Sequence, residues 1–118
     1  MVTIDLFRAE DNPREFSAGN TIFSEGDAGE LMYVVIAGEV DLLVRGKLVE
    51  HLAPGGVLGE MALIDTGTRS ATAVARTDCK LAPIDEKRFK FLVQQTPNFA
   101  LQLMRIIAAR LRRMDELL

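Results

Sequence analysis

The chain has 118 residues, a net charge of −3, 48% hydrophobic and 26% charged residues, the balance of a single globular domain. That charge gives the whole domain no attraction to nucleic acid, and the lone cysteine, Cys79, excludes an internal disulfide. No apolar run approaches the ~20 residues of a membrane helix, and Met1-Val2-Thr3-Ile4-Asp5 lacks the basic-then-apolar pattern of a signal peptide, so a cytoplasmic chain without membrane contact is expected.

Residues 1–15 read as a short amphipathic helical entry piece, with Ile4, Leu6 and Phe7 able to dock and Asp11-Asn12-Pro13 breaking it. From Phe16 to Ile84 the pattern is short β runs separated by glycine. Thr21-Ile22-Phe23 is the first run. Leu31 to Ile36 is nearly all apolar and predicts a strand buried on both faces. In Glu39 to Arg45, Val40, Leu42 and Val44 face one way. Arg45-Gly46-Lys47 then predicts a tight hairpin into Leu48–Leu52. Ala53-Pro54-Gly55-Gly56 is a turn, and Ser70 to Ala75 and Lys80 to Ile84 are the last runs. Strands this short and this evenly spaced predict a small antiparallel β-barrel or jelly roll.

The period changes after Ile84. Asp85 can cap a helix carrying Phe89, Leu92 and Val93, and Thr96-Pro97 starts a second that nothing breaks from Asn98 to Leu117. Helices following a β domain make the class α+β. In the last helix Phe99, Leu103 and Ile106 are placed to pack on the β domain. Met104, Ile107, Leu111, Met114 and Leu118 follow a 3-4-3-4 spacing, a seam for a homodimer. One broad apolar stripe covering the β domain is the plainer alternative. Arg105, Arg110, Arg112 and Arg113 read as a solvated face.

The chemistry concentrates between Gly59 and Thr72. Glu60 follows a glycine at the start of the helix-forming run Met61-Ala62-Leu63-Ile64, and Arg69 stands nine positions on, at the mouth of a β segment. Helix-start N–H groups and a guanidinium suit a phosphate. A carboxylate, acceptor-only, suits a sugar hydroxyl. Taken singly, Glu60 reads as a carboxylate at a helix start and Arg69 as a surface arginine; their joint spacing favours the site. Enzyme chemistry is poorly supplied. A metal-bearing cupin-like barrel wants two or three histidines, and only His51 is present; no nucleophile elbow occurs, and Cys79 reads as a core residue. No catalytic and no metal-binding residue is predicted.

With these residues in view, the chain resembles the cyclic nucleotide-binding domain family, which includes the bacterial catabolite activator protein, regulatory subunits of cAMP-dependent protein kinase and cyclic nucleotide-gated channels. Gly59-Glu60-Met61-Ala62-Leu63 followed by Arg69-Ser70-Ala71-Thr72 resembles the family's phosphate-binding cassette (59–72 here). Ile22-Phe23-Ser24-Glu25-Gly26-Asp27 and Tyr33-Val34-Val35-Ile36-Ala37-Gly38-Glu39-Val40 resemble its early strands. Pro54-Gly55-Gly56 departs by a glycine where aspartate is commoner. The resemblance runs from about Phe16 to the final helix, and the chain is expected to form one domain over 1–118: entry piece 1–15, β part 16–84 and C-terminal helices 85–118.

It also implies roles. Glu60 would accept from the ribose 2′-hydroxyl, Arg69 would pair with the exocyclic phosphate oxygens, and amides of Met61, Ala62 and Ala71 would cradle the phosphate. Gly59 would let the backbone approach the sugar, and Ser70 would add a hydroxyl. Val57, Leu58 and Ala73 would line the pocket, and Met114, Leu117 or Leu118 would form a lid that closes over the base. The implied function is a non-enzymatic receptor relaying occupancy through the C-terminal helices, with no cofactor; Ser70 after the arginine is intermediate, offering a hydroxyl like the threonine that goes with cGMP in the kinase branch but resembling the bacterial cAMP receptors, so cAMP is favoured over cGMP. A module that has kept only the fold, or only dimerisation, is the alternative. The chain ends at Leu118, where the family's helix often continues, so the base end is expected to be loosely covered unless a dimer partner closes it. The sequence contains no DNA-reading, kinase-inhibiting or pore segment, which leaves a stand-alone binder or a fragment.

Overall fold

The computed structural model describes residues 7, 9–65 and 67–117, the side chain of Leu117 excepted. Eight strands form two antiparallel sheets: β1 (Arg14–Phe16), β2 (Thr21–Phe23), β3 (Met32–Ala37), β4 (Val40–Val44), β5 (Lys47–Leu52), β6 (Val57–Leu58), β7 (Thr72–Ala75) and β8 (Cys79–Ile84). One sheet runs β1-β8-β3-β6 and the other β2-β7-β4-β5. The β part is therefore a two-sheet jelly roll, and of the two forms expected, the closed barrel is not the one adopted. Helices are α1 (Met61–Ile64), α2 (Glu86–Gln95) and α3 (Pro97–Leu117).

β3 is buried on both faces, as its unbroken apolar run implies. Tyr33 and Val35 enter a core between the sheets with Val40, Leu42, Leu58 and Leu81. Met32 and Val34 point the other way, into a core shared with Ile84, Phe99, Leu103 and Ile106 from the helix side. α2 is capped by the Asp85 carboxylate, which accepts from the Arg88 N–H at 2.8 Å. α3 starts at Pro97 and is rooted by Phe99, which is fully buried. Truncating a phenylalanine in such a place costs about 3–5 kcal/mol, so the first two turns of α3 are fixed to the roll. The opposite face is open: Met104 is 64% and Leu111 59% exposed.

Two strands escape the sequence pattern. β1 has two charged residues in three and lies at a sheet edge, paired with β8. β6 is two residues long between Gly56 and Gly59, too short for any periodicity. Of the helical entry piece expected over 1–15, residues 1–6 and 8 lie outside the described residues, and the described ones are not helical: Phe7 is buried in the helix-side core, the chain turns at Ala9, bends at Asp11-Asn12 and enters β1 at Arg14. No helix among the described residues is long and apolar enough to cross a membrane.

The β4–β5 hairpin closes through Arg45 (φ 53°) and Gly46 (φ 77°), both in the left-handed region that a type I′ turn requires. Glycine adopts it freely; arginine does not. Arg45 is exposed, and its backbone N–H donates to Glu25 at 3.0 Å. On the same hairpin His51 lies between two carboxylates, Nδ1 2.8 Å from Asp41 and Nε2 2.7 Å from Glu39, with Arg76 3.3 Å from Nδ1. The hydrogen bonds to Asp41 and then Glu39 raise the imidazole above its ordinary pKa of 6.5.

Two expectations follow from this hairpin. Arg45→Asn keeps the backbone bond to Glu25 and relieves the strained φ, raising the thermal midpoint by about 4–8 °C if the relief reaches 1 kcal/mol. An unchanged or lower midpoint would show that the turn carries no strain. Because the folded pKa of His51 is raised, its stabilisation is complete below pH 6.5 and is lost as pH rises through the folded value. Thermal melts of His51→Gln should therefore fall below the parent at pH 5.5 and converge on it at pH 9; a gap that widens with pH would refute the clamp.

Candidate functional site

β6 pairs with β3 through Tyr33↔Leu58 and Val34↔Val57 and delivers Gly59 in the left-handed region, φ 76°. Glu60 follows as the N-cap of α1, but its side chain makes no capping bond. The carboxylate turns inward instead and is 4% exposed. A plain helix-start role for Glu60 therefore fails on geometry.

Arg69 is placed by backbone pairing with the turn after β2. Ala28 and Thr68 form an isolated bridge, the Arg69 N–H donates to Asp27 O at 2.7 Å, and Gly26 N–H donates to Arg69 O at 2.8 Å. The side chain is 7% exposed. Its Nη1 donates to Leu31 O at 2.6 Å and to Gly59 O at 3.2 Å, and its Cζ lies 4.1 Å over the Phe23 ring. Nε is buried and has no partner among the described residues. Burial pulls the guanidinium below its usual pKa, against Tyr33, Asp27 and Glu60, which favour its charge. A surface-arginine reading is thus also excluded.

Two glycines make room for this cation. A Cβ on Gly59 would stand 2.5 Å from Nη1. A Cβ on Gly29 would overlap Nε and Cζ. Gly29 carried no mark in the sequence, because its φ is ordinary and only the fold brings the guanidinium against it.

The third charged residue comes from α3. Arg110 donates from Nη1 to Glu60, from Nε to Glu50 at 2.7 Å and from Nη2 to Val57 O at 2.6 Å, with its side chain 11% exposed. Burial opposes its charge, but Glu60 and Glu50 outweigh that and raise its pKa. This corrects the expectation that Arg105, Arg110, Arg112 and Arg113 form one solvated face: the other three are exposed, and Arg110 is not. A signal was present. Phe99, Leu103, Ile106 and Arg110 share one 4-3-4 spacing, so Arg110 continues the buried stripe.

These residues surround one cavity of about 30 Å³. Gly59, Glu60, Met61, Ala62, Arg69, Ser70 and Ala71 all line it, and so does Met114 from α3. The Ala62 N–H donates to Gly59 O at 3.2 Å. Val57, Leu58 and Ala73 do not reach the cavity; they are fully buried in the cores behind it. Leu117 ends α3 with its side chain outside the described residues, as are Thr66 and Leu118. The apolar wall is instead Phe23, Leu42, Val44 and Val49. Strand alternation put Leu42 and Val44 inward but could not show that their ends meet the cassette. In sum, the site has two cations, two carboxylates (one behind Arg110), a hydroxyl and an apolar wall. That set can hold a small anion bearing a hydrogen-bonding group.

Residues 13–96 match the family described as the cyclic nucleotide-binding domain. The cyclic AMP receptor protein of Thermus thermophilus is 34% identical over 117 residues, 95% of this chain and 54% of that protein. The chain spans about half the length of the curated relatives it matches. Among solved structures, cAMP-bound PfPKA-R superposes with a TM-score of 0.80 at 26% identity, over 90% of this chain and 36% of that one. A structure from a cyclic-GMP-dependent signalling pathway of bacterial phytopathogenesis superposes with a TM-score of 0.78 at 31% identity, over 95% and 98% of the two chains.

Proposed function

The chain belongs to the cyclic nucleotide-binding domain family, and from that premise we propose that it is a receptor domain, without catalytic activity of its own, for a cyclic nucleotide. The observation that carries this reading is Arg69, 7% exposed, with a buried Nε that no group among the described residues satisfies. Buried donors are almost always paired. An exocyclic phosphate oxygen supplies both the acceptor and the negative charge. Glu60 receives the ribose 2′-hydroxyl, Ser70 adds a hydroxyl beside the phosphate, and the amides of Met61 and Ala71 complete the cradle, joined by that of Ala62 when it gives up its 3.2 Å bond to Gly59 O. Phe23, Leu42, Val44 and Val49 form a dry wall that strengthens these contacts by lowering the local dielectric.

The preferred ligand is cAMP. Ser70 after the arginine and a relative that is itself a cyclic AMP receptor protein support it. The relative from a cyclic-GMP-dependent pathway supports cGMP as the second candidate. Occupancy is relayed through α3, whose open face, Met104 and Leu111, fits a second copy of this chain. The whole chain acts as one domain.

Calorimetric titration with cAMP and cGMP in parallel tests the reading. Binding of cAMP with cGMP weaker is expected; binding of neither supports the alternative of a module that has kept only the fold. Arg69→Ala should cost about 2–5 kcal/mol of cAMP affinity, the range for removing one partner of a buried charge pair. Glu60→Gln should cost less, since an amide oxygen still accepts one bond; complete loss would contradict the hydroxyl role. Gly29→Ala inserts a methyl into the space of the guanidinium, an overpacking of about 1–3 kcal/mol. About a tenfold weaker cAMP affinity with an unchanged circular dichroism spectrum is expected, and unaltered affinity would show that Arg69 need not lie where it does.

A further inference from the structure

Glu50 is a carboxylate in an apolar place. Its register partner on β4 is Leu42, which is buried in the core between the sheets and lines the cavity. Directly opposed residues of an antiparallel pair share a face. Leu52, two positions on from Glu50, is buried in the same core. The pairing slips between Leu42↔Glu50 and Leu43↔Leu48, which leaves Val49 as an extra residue of β5. Such a bulge re-aims side chains. Val49 is buried against the cavity, and the Glu50 side chain beside it is only 12% exposed. A charge withdrawn from water is costly unless paired, and the partner of Glu50 is Arg110, whose Nε donates to it at 2.7 Å.

The three nitrogens of Arg110 go to three acceptors on different segments: Nε to Glu50 on β5, Nη2 to Val57 O on β6 and Nη1 to Glu60 at the start of α1. A guanidinium is a rigid planar fork, so fixing two of its nitrogens fixes where the third points. Nη1 bonds one oxygen of Glu60, and the other oxygen takes no hydrogen bond among the described residues. A carboxylate accepts several donors. Glu60 is therefore held by the arginine and keeps an oxygen for a ligand. Glu50 does not itself line the cavity.

We propose that Glu50 is a positioning residue of the site: through Nε it sets the Arg110 fork so that Nη1 steadies one oxygen of Glu60 and the other is presented to the sugar hydroxyl. The proposal rests on the receptor reading above and deepens it. The grip on the sugar belongs to a chain of three side chains, and the first of them never touches the nucleotide. A carboxylate steadied beforehand loses less rotamer freedom on binding, so Glu50 adds affinity by preorganisation rather than by contact.

The test uses the full chain, two probes, cAMP and 2′-deoxy-cAMP, and the variants Glu50→Ala and Glu50→Gln. Glu50→Ala frees Nε and should bind cAMP about tenfold more weakly than the parent, the low end for a hydrogen bond to a charged group. Its affinity for 2′-deoxy-cAMP, which has no hydroxyl for Glu60 to grip, should match the parent's, and that match also shows that the variant is folded. Glu50→Gln, whose amide oxygen still accepts from Nε, should restore most of the loss. Unchanged cAMP affinity in Glu50→Ala, or an equal loss for both nucleotides, overturns the positioning role while leaving the receptor reading intact. Equal affinity of the parent for the two nucleotides takes the hydroxyl away from Glu60 and the proposal with it. If the parent binds neither cAMP nor cGMP, the receptor reading itself falls.

Discussion

A permanent cation withdrawn from water is the constraint around which this domain is arranged. Arg69 cannot shed its proton, and moving such a group inside costs several kcal/mol unless its surroundings compensate. Carbonyl oxygens of Leu31 and Gly59 meet one nitrogen, and the face of Phe23 meets the plane. Those partners exist only because the turn after β2 is bridged to the cassette segment that carries Arg69, and because two neighbours are glycine. Each of these features belongs to a different segment, so the sheet topology is what makes a polar hole inside an apolar roll tolerable.

The two cores divide the labour. The core between the sheets fixes β4, β5 and β7, and with them the apolar wall of the pocket. The second core lies on the outer face of β3 and fixes the helices. β3 is common to both, since its odd and even side chains enter different cores. The start of α3 is tied to the roll by apolar packing, which is insensitive to small ligands. Its far half is tied by ionic contacts within the pocket, which are not. One helix thus has two kinds of attachment, and only one of them answers to what occupies the site.

Much of this was legible in the sequence. The doubly buried β3, the hairpin at Arg45-Gly46, the Asp85 cap and the start of α3 at Pro97 all come from local periodicity or turn chemistry, and local rules hold where nothing distant competes. The cassette was legible because Glu60 and Arg69 lie close in sequence. What stayed hidden is non-local. Gly29 matters through a side chain 40 positions away, and Arg110 through a carboxylate 50 positions away. The resemblance implied Val57, Leu58 and Ala73 as pocket lining, yet their side chains enter the two cores, and a place beside the cassette does not decide which way a strand residue points. β1 and β6 were hidden by brevity: strands of three and two residues have no period to read.

The shortest strand has the widest reach. Val57 puts its side chain among the helices and its carbonyl on Arg110; Leu58 faces the opposite core; Gly59 lies against Arg69; Glu60 meets α3 directly. Four consecutive residues thus answer to both cores, to Arg69 and, through Val57 and Glu60 alike, to Arg110 of α3. A substitution at any one of them shifts a backbone that the other three share, so none can be exchanged independently. The peptide from 57 to 60 therefore joins both cores, the buried cation and α3, and a small displacement there would be felt in all of them at once.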